Sequence, residues 1–347
     1  MEKVKVAVAG VGNSIAYLLK TLSLKEEPKG IWHQKVGGME VKDIEIVAAF
    51  DIDERKIGKP LNEAALTEPN VVNLNDIIVG KDVMVQRGIL LDEISYFARD
   101  KLRVTKKETP KNISKVLEDS GAEVLLLTIS SGLQKTSEAY AEQALNAGVS
   151  LINATPSTIA SNLAIVKKFE EAKLIVVGDD LMSQFGGTAL HRGILNFMKL
   201  RGISAVKSYQ VDVGGGLESL NTMDEGLKEL KKNIKTRAIV SEVGDSYEVV
   251  TGTTDYVEFM KNRRVSHFWF EAEGLLGKKY TIDLLLTTED APNATNILLD
   301  VIRAVKHSMK KGEYGAVDEI CNFGFKKTLN QESIELAVKE FEKKYCF

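Results

Sequence analysis

Two stretches of the sequence carry residues whose types and spacing can do chemistry. Gly10-Val11-Gly12 follows the β-rich run Val4–Ala9 and precedes a helical pattern. In such a turn the first glycine permits the tight bend and the second lets a pyrophosphate approach the backbone. The helix behind it presents free N–H groups and the positive end of its dipole. The third fingerprint position holds Ile15 rather than glycine, and the small Ala16 comes one place late, so the motif is incomplete. Asp51 closes the next apolar run, Ile44–Phe50, where a carboxylate can accept both hydroxyls of an adenosine ribose. An acid there favours NAD over NADP, because it repels a 2′-phosphate. The gap from Gly12 is about twice the usual roughly 20 residues, and Lys25–Lys42 reads as an insertion that accounts for it. The competing readings are a structural βα turn and a solvated carboxylate at a strand end. The second stretch is Leu227–Arg237, in which Lys231 and Lys235 stand four apart and share one helix face. Two ammoniums one turn apart repel, which lowers at least one pKa. Taken alone, Lys228, Lys231, Lys232 and Lys235 describe a solvated basic face equally well.

The elements that must position these groups divide the chain in two. Val4–Ala9, Ile44–Phe50, Val124–Ile129, Val149–Asn153 and Leu174–Val177 read as short strands. Helical patterns separate them, such as Ser137–Ala147, which stops at Gly148. Strands apolar on both faces and separated by helices predict a parallel sheet covered on both sides, the doubly wound α/β arrangement of a Rossmann-type domain. Beyond the helical stretch Thr188–Leu200 the pattern changes. Val206–Val213, Tyr247–Thr251, Arg264–Glu271 and Tyr280–Thr287 read as strands of an antiparallel or mixed sheet, and Asn296–Met309 as a helix returning to the first domain. The expected division is 1–195 plus 290–347 for the nucleotide-binding domain and 196–289 for an inserted α+β unit.

Composition narrows the function classes. The 347 residues carry a formal charge of −3, with 44% hydrophobic and 27% charged residues. These are ordinary globular values. The near-neutral balance argues against nucleic acid as a partner. Two cysteines, Cys321 and Cys346, form no C-x-x-C pair, which suggests free thiols in a reducing compartment. With neither a signal peptide nor an apolar run of the roughly 20 residues a membrane helix needs, the expectation is a cytoplasmic protein without a membrane partner.

Taken in order along the chain, the motifs resemble the myo-inositol-1-phosphate synthase family, especially its archaeal and bacterial branch. Val8-Ala9-Gly10-Val11-Gly12-Asn13 is similar to its opening, and Ile46–Asp53 to its second strand. Val85-Gln86-Arg87-Gly88 and Asn153-Ala154-Thr155-Pro156 resemble characteristic loops. Gly178-Asp179-Asp180 with Ser183-Gln184 and His191-Arg192 resembles the segment closing the cofactor domain. Val213-Gly214-Gly215, Asp290-Ala291-Pro292-Asn293 and Ile302–Lys306 complete the set. The resemblance implies an NAD-binding domain with an inserted catalytic and tetramerisation domain, in a homotetramer. It implies cyclisation of glucose 6-phosphate to inositol 1-phosphate: a hydride leaves C5 for NAD, the ketone acidifies C6, the C6 carbanion attacks the C1 aldehyde, and the hydride returns. It implies cofactor contacts at Gly10, Gly12, Asn13, Ser14, Asp51, Ser130, Ala154, Thr155, Asp179, Asp180, Ser183 and Asp290. It places Lys231, Lys235 and Lys327 in the active site, with Lys326 a close competitor of Lys327. Arg264 and Glu218 stand at further active-site positions. A small phosphorylated sugar is the expected substrate, and a divalent metal is left open.

Such a reaction needs cations or N–H donors for the phosphate, positive charge aimed at enolate and alkoxide oxygens, and a group that moves a proton. Lysine suits all three tasks. The sequence also departs from the family. Met182 stands where a lysine is expected, Gly216 where an asparagine is, Glu218 where an aspartate is, and Arg264 where a lysine is. Methionine cannot hold a phosphate, arginine cannot act as a proton donor, and glycine opens space. These differences suggest an altered substrate, an altered step or a lost activity. An NAD-dependent sugar-phosphate dehydrogenase and a noncatalytic NAD-binding homologue are the alternatives. A trio of His191, Asp179 and Asp180 lacks metal-ligand spacing, so His191 reads as a helix residue near the cleft.

Overall fold

The computed structural model describes residues 3–26, 28–75, 77–104, 112–244 and 247–347. Six short strands form the first sheet: β1 (Val4–Ala9), β2 (Ile44–Asp51), β3 (Val85–Arg87), β4 (Val124–Leu127), β5 (Ser150–Asn153) and β6 (Val176–Val177). All neighbours are parallel and the order is β3-β2-β1-β4-β5-β6, that of a Rossmann fold. Alternate residues of each strand enter opposite cores. Val4, Val6 and Val8 pack with Ile297, Val301 and Phe341, whereas Ala7 and Ala9 pack with Tyr140, Ala144 and Phe169. Burial on both faces is why these strands are runs of apolar residues rather than alternations. The family resemblance implies a loop at Val85–Gly88. Its first three residues are instead the edge strand, paired with Ala49–Asp51 and too short to show a period.

The strand order reverses between β1 and β4, and the chain leaving both strands opens a crevice there. The helix Asn13–Leu22 begins in it, buries Ile15, Ala16, Leu18 and Leu19, and packs on the long helix Asp290–Lys310.

The second sheet contains β7 (Ser204–Gly214), β8 (Glu248–Tyr256), β9 (Arg263–Glu273) and β10 (Lys279–Glu289), in the order β10-β9-β7-β8. It is mixed: β7 and β8 are parallel, and the helix Glu225–Val243 supplies the crossover that a parallel pair requires. This helix and Gly187–Leu200 cover one face, over a core of Leu195, Ile239, Phe268 and Phe270. The other face carries Tyr209 stacked on Trp269, with Val250 and Leu285 exposed. Among the described residues no helix is long and apolar enough to cross a membrane.

Candidate active site

Two walls of different origin enclose a cleft of about 330 Å³. The first is the turn after β1. Gly10 has φ +93°, and a Cβ there would lie 2.7 Å from the Thr128 carbonyl, so only glycine fits. A Cβ on Gly12 would meet nothing within 4 Å, which leaves the approach to the helix N-terminus open. Gly12 caps the helix without a side-chain hydrogen bond, and no acid lies in the first turn. Unfilled N–H groups, a positive dipole end and open space suit the pyrophosphate of NAD. Asn13, Ser14, Ser130, Ala154, Thr155, Ser183 and Asp290 also line the cleft.

Two of the expected cofactor residues are directed elsewhere. Asp51 ends β2 but is not a lining residue. Its oxygens accept the Val11 N–H at 2.8 Å and the Asp53 N–H at 2.9 Å, and the buried Lys56 ammonium lies 3.7 Å away. The carboxylate therefore braces the glycine turn and has the Lys56 ammonium beside it as a counter-charge. Asp179 is fully buried and accepts from Asn153, from the N–H groups of Ile159, Ala160 and Ser161, and from the Ser161 hydroxyl. It anchors that loop behind the cleft.

The second wall is charged. Lys231 and Lys235 both face inward from the helix Glu225–Val243, which Asp224 caps by accepting the Leu227 N–H. Lys231 bridges Glu218 at 2.6 Å and Asp180 at 3.4 Å. Lys235 lies 2.5 Å from Asp212. Lys326 reaches Asp180 at 3.0 Å from the opposite side. Arg264 grips Asp290 through Nε at 2.9 Å and a terminal nitrogen at 2.7 Å. Lys327, the expected amine, is turned away and bonds the Thr158 hydroxyl. The place foreseen for it is taken by Lys326.

The charges follow from these contacts. Burial pushes the Asp180 carboxyl up, but Lys231 and Lys326 pull it down to about 2. Burial and Lys235 oppose each other in the same way at Asp212, also about 2. Glu218 is lowered too, as Lys231 outweighs its burial. Burial alone would lower Lys231, yet Asp180 and Glu218 raise it, so the expected mutual repulsion of the paired lysines does not decide its state. Lys326 is lowered, by burial and by nearby Lys231 and Lys235, against the pull of Asp180. The two ammoniums are thus shifted in opposite directions, Lys231 up and Lys326 down.

The departures from the family pattern have visible consequences. Met182 is buried, with its sulfur 3.6 Å from the Arg192 guanidinium, which pairs with Glu242 at 2.7 Å. Gly216 borders the cleft, and a Cβ on it would come no closer than 3.8 Å to Lys261 O, so space is open there. Glu218 reaches the Ser131 hydroxyl across the cleft. His191 does not approach Asp179 or Asp180. It is buried among Phe268 and Phe270 and bonds Ser208 and Gln210.

The donor set does not fit a divalent metal. Asp180, Asp212, Glu218 and Asp290 each hold a lysine or arginine already, and among the described residues no group of three His, Cys, Asp or Glu side chains could hold an ion. Asp212 and Gln210, both lining the cleft, escaped the sequence reading. Their signal was present: Ser208, Gln210 and Asp212 alternate along a predicted strand.

Residues 186–291 match the family model described as myo-inositol-1-phosphate synthase. The chain is 31% identical over 354 residues to inositol-3-phosphate synthase of Mycolicibacterium smegmatis, covering 98% of this chain and 97% of the relative. It is similar to the crystal structure of Ari2, with 28% identity, a TM-score of 0.78 and 99% of each chain covered. A myo-inositol-1-phosphate synthase-related protein from Thermotoga maritima shares the fold, with a TM-score of 0.84, 20% identity, and 99% and 98% of the two chains covered. With identity at this level along nearly its whole length, the chain belongs to the myo-inositol-1-phosphate synthase family.

Proposed function

We propose that the protein is an isomerase that converts glucose 6-phosphate to inositol 1-phosphate with NAD. The supporting observation is that amines from two distant segments, Lys231 and Lys235 from one helix and Lys326 from near the C-terminus, meet in one cleft with the dinucleotide turn. NAD, when bound, accepts a hydride from the sugar and returns it, so no net redox change results. Gly12 and the N–H groups of the following helix hold its pyrophosphate. Arg264 receives the substrate phosphate, since its partner Asp290 is 42% exposed at the mouth of the cleft. Lys231 and Lys235 face the oxygens on which negative charge develops. Lys326, with its lowered pKa, moves the proton at C6. The unit 196–289 serves as the inserted catalytic domain, and its uncovered sheet face joins subunits into a homotetramer.

The test is a reaction with NAD and glucose 6-phosphate followed by phosphorus NMR and by the absorbance of reduced nicotinamide. Inositol 1-phosphate with flat absorbance is expected. Accumulating reduced cofactor overturns the reading in favour of a dehydrogenase, and no turnover favours a noncatalytic homologue.

A further inference from the structure

One set of buried polar groups is unused by this reading. Alternation along β7 turns Ser208, Gln210 and Asp212 toward the covered face of the second sheet. All three are buried, and His191 meets them from the helix Gly187–Leu200. Chemistry fixes the direction of each hydrogen bond. Asp212 is an ionised carboxylate and can only accept, so the Gln210 amide nitrogen donates to it, at 3.0 and 3.1 Å from its two oxygens. The Gln210 carbonyl is left to accept from His191 Nδ1–H, at 3.3 Å. With that proton on Nδ1 of a neutral ring, Nε2 accepts the Ser208 hydroxyl at 2.7 Å. Burial holds the ring neutral by lowering its pKa to about 4. Ser266 donates to Asp212 from β9 at 2.5 Å, and Lys235 meets its other oxygen at 2.5 Å. The backbone leaves room for this chain: a Cβ on Gly187 would lie 2.2 Å from the Gln210 amide nitrogen and 3.0 Å from the Ser266 hydroxyl.

We infer that Asp212 is a positioning residue for Lys235, its carboxylate aimed by a one-way hydrogen-bond chain from Ser208 through His191 and Gln210. Ser266 and Gln210 fix the plane of the carboxylate, and the carboxylate fixes the ammonium. Without it, the Lys235 side chain is free to rotate along its flexible stem. The inference rests on the reading of Lys235 as an active-site amine, and one of its tests does not depend on turnover.

The variant Asp212→Asn keeps the shape and removes the charge. Its kcat is expected to fall about 100-fold, as for a displaced reacting group, with KM and NAD affinity within about threefold. Adding Asp212→Asn to Lys235→Met should cost nothing further, because the two act as a unit. Without substrate, at a single alkaline pH, acetic anhydride should label Lys235 several-fold faster in Asp212→Asn than in the wild type, read peptide by peptide by mass spectrometry. Gly187→Ala, which pushes the Gln210 amide off Asp212 without changing any charge, should shift labelling in the same direction. It serves alone if Asp212→Asn does not fold. Multiplicative losses in the double variant, or unchanged Lys235 labelling in both single variants, would overturn the inference. A wild type that labels as expected but turns nothing over refutes the proposed reaction and leaves the Asp212–Lys235 relationship standing.

Discussion

Lys326 and Lys327 are neighbours in sequence, yet their amines part company: one reaches Asp180 at 3.0 Å inside the cleft, the other the Thr158 hydroxyl behind it. Backbone pairing explains the split. Lys326 N–H donates to the Asp180 carbonyl at 2.9 Å and Lys327 exchanges two hydrogen bonds with Asp179, so the backbone is held where the two side chains leave it in different directions. Lys326→Met is therefore expected to lower kcat about 1,000-fold and Lys327→Met less than about 10-fold, a contrast set by the usual worth of a proton-transferring group. Steady-state kinetics on the two purified variants decides it.

Three consecutive glycines should respond differently to the same methyl group. A Cβ at Gly214 would stand 2.3 Å from the Ser219 hydroxyl, and one at Gly215 would stand 2.4 Å from the backbone nitrogen of Lys261. At Gly216 the nearest atom is 3.8 Å away. Gly215→Ala is expected to destabilise by about 2 kcal/mol or more, because backbone must shift, and Gly216→Ala by less than about 0.5 kcal/mol. Denaturant titration of both checks the stabilities, and a raised KM for Gly216→Ala alone would mark the filled space as part of the cleft.

His191 gives the fold a pH dependence whose sign can be worked out. Its pKa falls from 6.5 to about 4 on burial. The unfolded chain binds the proton first on acidification, so stability is lost as pH falls from 6.5 toward 4. The loss approaches about 3 kcal/mol over that window at roughly 1.4 kcal/mol per unit. His191→Asn retains a donor for Gln210 but does not titrate, and should flatten this part of a Tm-against-pH curve. An unchanged slope would contradict the neutral buried ring.

Arg264 holds Asp290 with two nitrogens, a fork that lysine cannot reproduce. Arg264→Lys should raise KM for the sugar phosphate about tenfold, close to 1.4 kcal/mol, with kcat changed less than about threefold. Inhibition by inorganic sulfate should weaken in parallel.

The parallel character of the first sheet, the glycine turn and the helix bearing Lys231 and Lys235 were legible because each rests on a local pattern. Strands buried on both faces must be apolar throughout, and a tight turn at Gly10 admits no side chain. What could not be read depended on distant partners. Nothing local to Asp51 reveals that Lys56 will sit beside it, and nothing local to Asp179 reveals the five donors that occupy it. The choice between Lys326 and Lys327 turned on a pairing with residues some 146 positions earlier. Asp212 was hidden for another reason. On β7 the polar alternates Ser208, Gln210 and Asp212 face the interior while Tyr209, Val211 and Val213 face the open side, inverting the usual expectation for a half-buried strand. An inward polar stripe opposite a histidine is the pattern that would have found it.

The central claim is that the amines of this cleft act on a sugar phosphate whose hydride is borrowed and given back. Glucose 6-phosphate carrying deuterium at C5 tests it most directly, with mass spectrometry of the product. The account predicts inositol 1-phosphate that retains the deuterium at catalytic NAD. Deuterium accumulating in reduced cofactor, in step with substrate consumed, would contradict it.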